Sequence, residues 1–378
     1  MKVLISVVGR FHAFDLARSL YKHNILHKLV TTYPKFVAKK FGIPRSHVIS
    51  EAILEVLARL SRKFSFLNYE KINNLVKLLH DKNCSRYVSK SDVFIGWSGI
   101  SFNSMIRAKK LGIPTILERG SSHVRFQNLL LKEEFESLGL TQELDFEKIK
   151  FDEKEYEITD YVSIPSTFVL ESFLSQGFPK EKLIVNPYGV DVDQFPVENN
   201  RTEHFKIIFV GGGKIAKGFH YLLQALHELN DPEIELIHVG HFAEEMNHFR
   251  EKYYNAKVSY RGIKPQAELY KYYGEAHAFV LPSLTEGMAM VQLQAMCCAL
   301  PILSTTNTGG SDLITEGKEG FIVPIRDVGA LSEKILFFKN NRELTEEMGR
   351  KGREKVLNNF TWEHYGDRYV QNIKERLS

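Results

Sequence analysis

The stretch LPSLTEGMAMVQLQAMCCAL, residues 281–300, decides the fold. It begins at the end of a buried apolar run at 277–281, which is typical of a strand in a parallel sheet. A polar turn with Glu286 and Gly287 comes next, and an apolar helix is predicted over about 288–299. A strand that ends just before a helix leaves unpaired backbone N–H groups at one sheet edge, and the helix dipole adds positive potential there. This junction is therefore predicted to favour an anion such as a phosphate.

Glu286 gives the junction a carboxylate that can reach a neutral polyol beside a bound phosphate. Gln294 lies eight residues further on, about two helical turns, and is predicted to share its helix face. The segment PSLTEGMAMVQLQAM, 282–296, resembles the glutamate-x7-glutamate segment of the retaining nucleotide-sugar glycosyltransferases of family 4, which have the GT-B fold. Gln294 stands where that family has its second glutamate. The alternative is a strand and helix of any doubly wound domain, with Glu286 as a solvated charge.

Length and composition indicate a globular protein with two domains. A chain of 378 residues is too long for one ordinary core, and 43% hydrophobic with 25% charged residues is typical of soluble proteins. The three cysteines form no disulfide framework, and no Cys/His cluster has metal-ligand spacing, which fits a reducing cytoplasm. The first ten residues read as a β-strand rather than a signal peptide, and no apolar run is long enough to span a membrane. We therefore expect a cytoplasmic protein.

The net charge of +4 conceals an asymmetry along the chain. Residues 1–130 hold 22 Lys and Arg against 7 Asp and Glu, whereas residues 131–378 hold 28 against 39. The basic first part is predicted to attract an anionic membrane surface, a lipid phosphate or a polyanion, unless it is a solvated surface balanced by the acidic remainder. Residues 35–63 mix basic and apolar side chains, which is typical either of docking at the inner face of the membrane or of ordinary inward packing. Nucleic-acid binding is not expected because no interleaved aromatic platform is evident.

Turns at strand ends in the first part of the chain supply candidate acceptor-side residues. A strand at 2–8 is followed by a turn with one glycine, which is not a dinucleotide fingerprint, and a strand at 113–117 is followed by the polar run ERGSSH. Ligands of open α/β sheets collect at the carboxyl ends of strands. The candidates in these two turns are Gly9, Arg10, His12, Glu118 and Arg119. In the family that the chain resembles, a histidine after the matching strand lines the sugar site, which makes His123 a candidate; the alternative is a surface histidine.

The second part of the chain opens with a strand at 205–210 and the loop GGGKIAKG at 211–218. This loop is not a P-loop, but it resembles the family's glycine-arginine-to-lysine-glycine loop, in which the lysine holds the donor diphosphate. Lys217 matches that lysine. Gly212 occupies the arginine position, so the second cation is missing or is supplied by Lys214.

The chain is predicted to be an α/β protein of the GT-B fold, with two Rossmann-like domains that face each other across a cleft. The N-terminal, acceptor-side domain is predicted to span 1–197 and to be joined by a C-terminal helix, 361–378, that crosses back to it. The nucleotide-sugar domain is predicted to span 198–360.

Three turns of the second domain form the predicted donor site. If the strands are parallel, the turns with Lys217, Glu286 and Gly310 lie at one sheet edge that faces the first domain. The predicted catalytic residues are Glu286, Lys217 and His123. The predicted donor-binding residues are Gly212, Gly213, Lys214, Gly287, Met288, Ala289, Met290, Val291, Gln294 and Gly310. No metal ligand is predicted.

The resemblance implies a retaining, metal-independent glycosyltransferase of the hexosyltransferase type. The donor would be a nucleotide-diphosphate sugar, a UDP-sugar in preference to a GDP-sugar, with no other cofactor. The acceptor would be a saccharide or a lipid-linked molecule in cell-surface polysaccharide or glycolipid synthesis. Two alternatives stay open: a GT-B epimerase that acts on the sugar nucleotide alone, and a nucleotide-sugar-binding module that has lost activity, with Gln294 and Gly212 as marks of decay.

Overall fold

Two parallel β-sheets flanked by helices make up the protein. The computed structural model describes residues 1–64 and 67–377. Ser65, Phe66 and Ser378, the last residue of the predicted C-terminal helix, lie outside the described residues.

The first sheet contains seven strands within the described ranges, in the order β3-β2-β1-β4-β5-β6-β7, and all its pairings are parallel. The strands are β1 Val3–Val7, β2 Leu26–Thr31, β3 Val48–Ser50, β4 Val93–Trp97, β5 Thr115–Glu118, β6 Tyr161–Ile164 and β7 Leu183–Val185. Strand β1 is buried along its whole length because helices cover both faces of a parallel sheet.

Helices alternate with these strands. They are α1 Ala13–Lys22, α2 Lys35–Lys40, α3 Ala52–Lys63, α4 Tyr69–Cys84, α5 Phe102–Lys110, α6 Val124–Ser137, α7 Phe146–Ile158 and α8 Thr167–Leu174. Helix α8 is capped at its start, because the Ser166 side chain accepts a hydrogen bond from the backbone N–H of Val169 (3.3 Å).

The second sheet has the strand order β10-β9-β8-β11-β12-β13, again with parallel pairing throughout. Its strands are β8 Phe205–Val210, β9 Ile234–Val239, β10 Val258–Gly262, β11 Ala278–Leu281, β12 Ile302–Thr305 and β13 Gly320–Val323. The helices after β8 are α9 Phe219–Leu229, α10 Asn247–Lys252, α11 Leu269–Glu275, α12 Met290–Cys297, α13 Val328–Asn340, α14 Arg342–Asn359 and α15 Trp362–Leu377.

Helix α15 returns to the first domain, as predicted. It packs against α1, and the Tyr369 hydroxyl donates to Glu118 Oε1 (2.6 Å) at the end of β5. The predicted α/β class and two-sheet architecture are therefore confirmed, while the domain boundary at 197–198 stays a prediction. Both sheets change the direction of their strand order beside the first strand, at β1/β4 and at β8/β11. Ligand crevices of doubly wound sheets form at such switch points.

Helix α12 begins later than predicted. Its first residue is Met290, so Glu286 precedes the helix, and the expectation that Glu286 and Gln294 share a helix face is wrong. The reason is a neighbouring turn. The backbone N–H of Glu286 donates to the Asn307 carbonyl (2.9 Å), and the N–H of Ala289 donates to the Thr308 carbonyl (3.3 Å). These bonds hold the intervening residues out of the helix.

The three cysteines, Cys84, Cys297 and Cys298, are buried and free. Within the ranges that the structure describes, none of the helices has the length and apolar character needed to cross a bilayer.

Candidate active site

The three predicted turns of the second domain meet at the carboxyl ends of β8, β11 and β12. The backbone N–H of Leu284 donates to the Ala216 carbonyl (3.2 Å), which joins the glycine-rich loop to the Glu286 turn. The Thr305 hydroxyl donates to the Ser283 carbonyl (2.5 Å), which joins the Glu286 turn to the end of β12. The prediction that the three turns share one sheet edge is confirmed.

Lys217 and Glu286 form an ion pair at this edge, between Nζ and Oε1. Lys217 ends a short 3-10 turn, and Gly218 follows with φ +61°. A Cβ on Gly218 would lie 1.9 Å from the Pro282 carbonyl oxygen, so the absence of a side chain lets the loop approach the end of β11. The Ser283 hydroxyl also donates to Glu286 Oε1 (3.2 Å). Both members of the pair are partly exposed, so a ligand can reach them.

Backbone donors surround this ion pair. In the described part of the chain, no acceptor pairs with the N–H groups of Gly287, Met288, Met290 and Val291 at the start of α12. They are available for an anion, as the sequence predicts. The N–H of Ala289 is taken by Thr308, as described above. The N–H of Gly310 is taken too, because it donates to the Thr308 hydroxyl (3.2 Å). The predicted set of donors is therefore smaller than expected.

The glycine-rich loop carries a second lysine, Lys214, three residues before Lys217. Lys214 is exposed. A Cβ added to Gly212, the position of the arginine in the family that the chain resembles, would lie 3.9 Å from Cδ and Cε of Lys214. Gly213 fixes the loop because its N–H donates to the His241 carbonyl (2.8 Å). A donor-binding role for these three residues stays a prediction.

Gln294 is buried on α12 and contacts α11. Its Oε1 accepts a hydrogen bond from the Tyr273 hydroxyl (3.3 Å). The side-chain oxygen of Gln294 is therefore already bonded within the protein, and its donor-binding role stays a prediction.

His123 does not join Lys217 and Glu286. Its Nδ1 accepts from the backbone N–H of Arg125 (3.3 Å), which makes it the N-cap of α6. Its ring packs against Tyr156 and Phe173, with centroids 5.1 and 4.9 Å away. Both partners belong to the first domain, where His123 and Tyr156 line a cavity of about 500 Å³ between α6, α7 and α8. His123 is thus a buried residue rather than a surface histidine, and its catalytic role stays a prediction.

We expect His123→Phe to flatten the pH dependence of stability between about pH 6.5 and 4. Burial lowers the pKa of His123 to about 4 from the ordinary value of 6.5, so in this window only the unfolded chain binds the proton. The wild type loses this share of its stability as the pH falls, whereas phenylalanine keeps the ring packing and cannot titrate. Thermal unfolding from pH 7 to 4 checks this, with the exposed His204→Phe as the control. Parallel curves for wild type and His123→Phe would contradict it.

Two acceptor-side candidates point into the protein. Glu118 is buried, lies 2.9 Å from His12 Nε2 and accepts from the Tyr369 hydroxyl. Arg119 is also buried and pairs with Asp152 (2.9 Å). Both charged groups are therefore paired within the protein, as burial requires, and their acceptor-side role stays a prediction.

The other three candidates lie in the loop after β1. Arg10 is exposed, His12 is partly buried against the Trp97 and Tyr188 rings, and Gly9 has φ +88°. The sequence prediction missed Phe11 in the same loop, which is exposed and has φ +41°. An aromatic residue with positive φ is uncommon, but no sequence signal marks it.

The two domains touch at the Glu286 turn. The Ser166 hydroxyl donates to the Gly287 carbonyl (2.6 Å), and the Ser122 and Thr285 hydroxyls lie 3.0 Å apart. A Cβ on Gly287 would lie 1.9 Å from the Gly120 carbonyl oxygen. The site is therefore bounded on one side by the second sheet and on the other by the first domain. The contact of Ser166 with Gly287 was not predicted from the sequence.

No metal site is found near these turns. Across residues 1–64 and 67–377, no three or more His, Cys, Asp or Glu side chains are grouped so as to hold a metal ion. Metal independence stays a prediction. It rests on Lys217 and the unpaired backbone N–H groups at the start of α12, which could stabilise a phosphate without a metal ion.

Comparisons with known proteins show which proteins this chain resembles. Residues 191–355 match the family described as glycosyl transferases group 1. The chain is 28% identical over 241 residues to the capsular polysaccharide biosynthesis glycosyltransferase CapM of Staphylococcus aureus, which is 57% of this chain and 63% of CapM. It is 29% identical over 201 residues to the putative colanic acid biosynthesis glycosyltransferase WcaL of Escherichia coli, 49% of each chain. The matches thus span about half to two thirds of these relatives.

Solved structures share the whole architecture. Anabaena HepE, in complex with UDP and glucose, superposes with a TM-score of 0.69 over 99% of this chain and 100% of HepE, at 13% identity. Sucrose-phosphate synthase of Thermosynechococcus elongatus gives 0.68 over 99% and 98%, at 18% identity. At these identities the likeness shows the fold, which is GT-B. Residues 191–355 of this chain thus resemble glycosyl transferases group 1, and the chain as a whole shares the GT-B fold.

Proposed function

We propose that this protein is a retaining glycosyltransferase of family 4 that moves a hexose from a nucleotide-diphosphate sugar to a saccharide or lipid-linked acceptor. The observation that carries the proposal is the meeting of Lys217, Glu286 and the unpaired N–H groups at the start of α12 in the cleft between the domains. The names of CapM and WcaL support polysaccharide or glycolipid synthesis as its setting. A UDP-sugar is the preferred donor, supported by the UDP complex of HepE.

The leaving group explains the cations and backbone donors. Cleavage of a sugar–diphosphate bond places negative charge on the departing phosphate oxygen. Lys217 and the N–H groups of Gly287 and Met288 can stabilise this charge from fixed positions, each donor contributing on the order of 3 kcal/mol. These groups supply the stabilisation that a metal ion gives in other transferases, so we propose a metal-independent reaction.

The role of Glu286 in this proposal is to bind and orient the sugar. Once the diphosphate occupies Lys217, the carboxylate can accept hydrogen bonds from the sugar hydroxyls and orient the ring. Its negative charge also favours the cationic character that develops at the anomeric carbon. The acceptor approaches from the first domain, on the face that the diphosphate leaves, which retains the anomeric configuration.

A donor panel tests this proposal. UDP-, GDP- and ADP-sugars are incubated with saccharide and lipid-linked acceptors, with and without EDTA, and the anomer of the product is read by proton NMR. We expect transfer with retention that EDTA does not reduce. An inverted product, loss of activity in EDTA, or conversion of the sugar nucleotide without any acceptor would contradict it.

We expect Gln294→Glu to lower the Kd for the nucleotide about tenfold. A carboxylate offers a second charged acceptor to the ribose hydroxyls while the first oxygen keeps its bond from Tyr273, and hydrogen bonds to charged groups are the stronger ones. Calorimetric titration with UDP measures the change, and Gln266→Glu, at an exposed position of the same domain, controls for added charge. Weaker or unchanged binding would show that Gln294 does not face the ribose.

We further propose that α3 docks the first domain on the inner face of an anionic membrane. The helix exposes Ile53 by 84% and Val56 by 55%, beside the exposed cation Arg59. Co-sedimentation with anionic vesicles should be weak, fall at high salt and fall further in Ile53→Glu. The control is Ile263→Glu, at an equally exposed residue of the second domain. Binding that is indifferent to salt or lipid charge would contradict docking.

A further inference from the structure

A buried carboxylate of the first domain has all its side-chain partners in the second domain. Glu134, on α6, is fully buried, and its Oε1 accepts from the Tyr221 hydroxyl (2.7 Å) and lies 2.9 Å from His220 Nε2. Its Oε2 accepts from Arg326 Nε (2.7 Å). We call these four residues the Glu134 cluster. It lies apart from the contacts that Ser122 and Ser166 make with the Glu286 turn.

The cluster is attached to the donor loop. His220 and Tyr221 are the second and third residues of α9, which starts directly after Lys217 and Gly218. Contacts that fix the beginning of α9 therefore also fix the position of Lys217. Arg326 follows β13 and also pairs with the exposed Glu133 (2.7 Å).

The charge of Glu134 depends on its partners across the cleft. Burial by itself raises the pKa of a carboxyl group, but the hydrogen bonds from His220, Tyr221 and Arg326 more than offset this and lower the pKa of Glu134. All three bonds come from the second domain, so separation of the domains breaks them together. A buried carboxylate whose partners are lost becomes costly unless water replaces them.

The network is only partly satisfied. His220 Nδ1 and Arg326 Nη2 are buried, and neither has a hydrogen-bond partner in the described portions of the chain. Partly satisfied polar networks stabilise a fold less than an apolar contact of the same size. This favours a role in relative domain position over a role in core stability.

We propose that Glu134 is a positioning residue that holds the cleft closed and fixes α9, and with it Lys217, in the arrangement that binds the donor. This inference rests on the proposed function. If donor binding needs the closed form, the apparent Kd rises as the closed fraction falls.

Glu134→Gln tests this, because it keeps the size of the side chain and removes its charge. We expect the apparent Kd for UDP in calorimetry, and the donor KM, to rise about tenfold while kcat at saturating donor changes less than about twofold. Small-angle scattering should show a larger radius of gyration without UDP and a wild-type radius at saturating UDP. The control is Glu136→Gln on the same helix, an exposed residue whose carboxylate pairs with Lys132 (3.5 Å), and it should behave as wild type.

Wild-type scattering and a wild-type Kd in Glu134→Gln would overturn the inference, as would a fall in kcat at unchanged KM. If Glu134→Gln does not fold, Tyr221→Phe removes a single hydroxyl and should shift the Kd in the same direction by a smaller factor. UDP and GDP are both titrated against the wild type. If neither binds, the proposed function fails, whereas the difference in scattering between wild type and variant still decides the role of the cluster.

Discussion

Lys217→Ala is expected to lower kcat by a factor of about 100 to 1,000, the usual effect of removing one preorganised donor to a developing negative charge. Lys217 is the cation that the structure brings to the end of β11, beside Glu286. The loss should appear in kcat as well as in kcat/KM, because charge on the leaving phosphate grows toward the transition state. Steady-state kinetics with the best donor of the panel measure it.

The matched control is Lys252→Ala, an exposed lysine on α10 of the same domain. The thermal midpoint should change little in either variant, since a partly exposed ion pair contributes little to stability. A kcat for Lys217→Ala within a few-fold of wild type would show that the donor diphosphate binds elsewhere.

Gly287→Ala is expected to lower kcat/KM about 100-fold or more without unfolding either domain. The added Cβ would stand 1.9 Å from the Gly120 carbonyl oxygen and 3.2 Å from Pro165 Cγ, so the two domains must move apart. A displacement of about 1 Å at a reacting site can cost this much in rate. The measurements are kinetics together with small-angle scattering, which should show a more open particle.

Gly329→Ala supplies the control, because the nearest atom to its added Cβ is Asp327 Oδ1 at 3.5 Å and the residue lies within α13. It introduces the same methyl group without a clash. Wild-type kcat/KM and scattering in Gly287→Ala would show that the close approach of Gly120 and Gly287 is not needed for catalysis.

The order of strands and turns could be predicted because it depends on local pattern. The apolar run of β8, FKIIFV, predicts a buried parallel strand, and the glycines after it predict a loop that approaches a ligand closely. Parallel pairing then fixes which turns meet, so Lys217 and Glu286 could be assigned to one edge from the sequence.

What could not be predicted depends on residues far away in the chain. Glu118 is buried by Tyr369, 251 residues later, and the surroundings of His123 depend on Ser172, 49 residues later. The first residue of α12 depends on a turn after β12 that holds the preceding segment. Hydrophobic periodicity within one element carries no information on such partners.

In the ion pair between Lys217 and Glu286, the two opposite charges neutralise each other. Under the proposed function, a diphosphate that draws Lys217 away unmasks the Glu286 carboxylate beside the sugar. The charge that stabilises a cationic sugar is then available only when a donor is bound. For a sugar without a diphosphate, the Glu286 carboxylate is still paired with Lys217. The enzyme should therefore discriminate strongly against sugar monophosphates and free sugars, even where their rings fit the site.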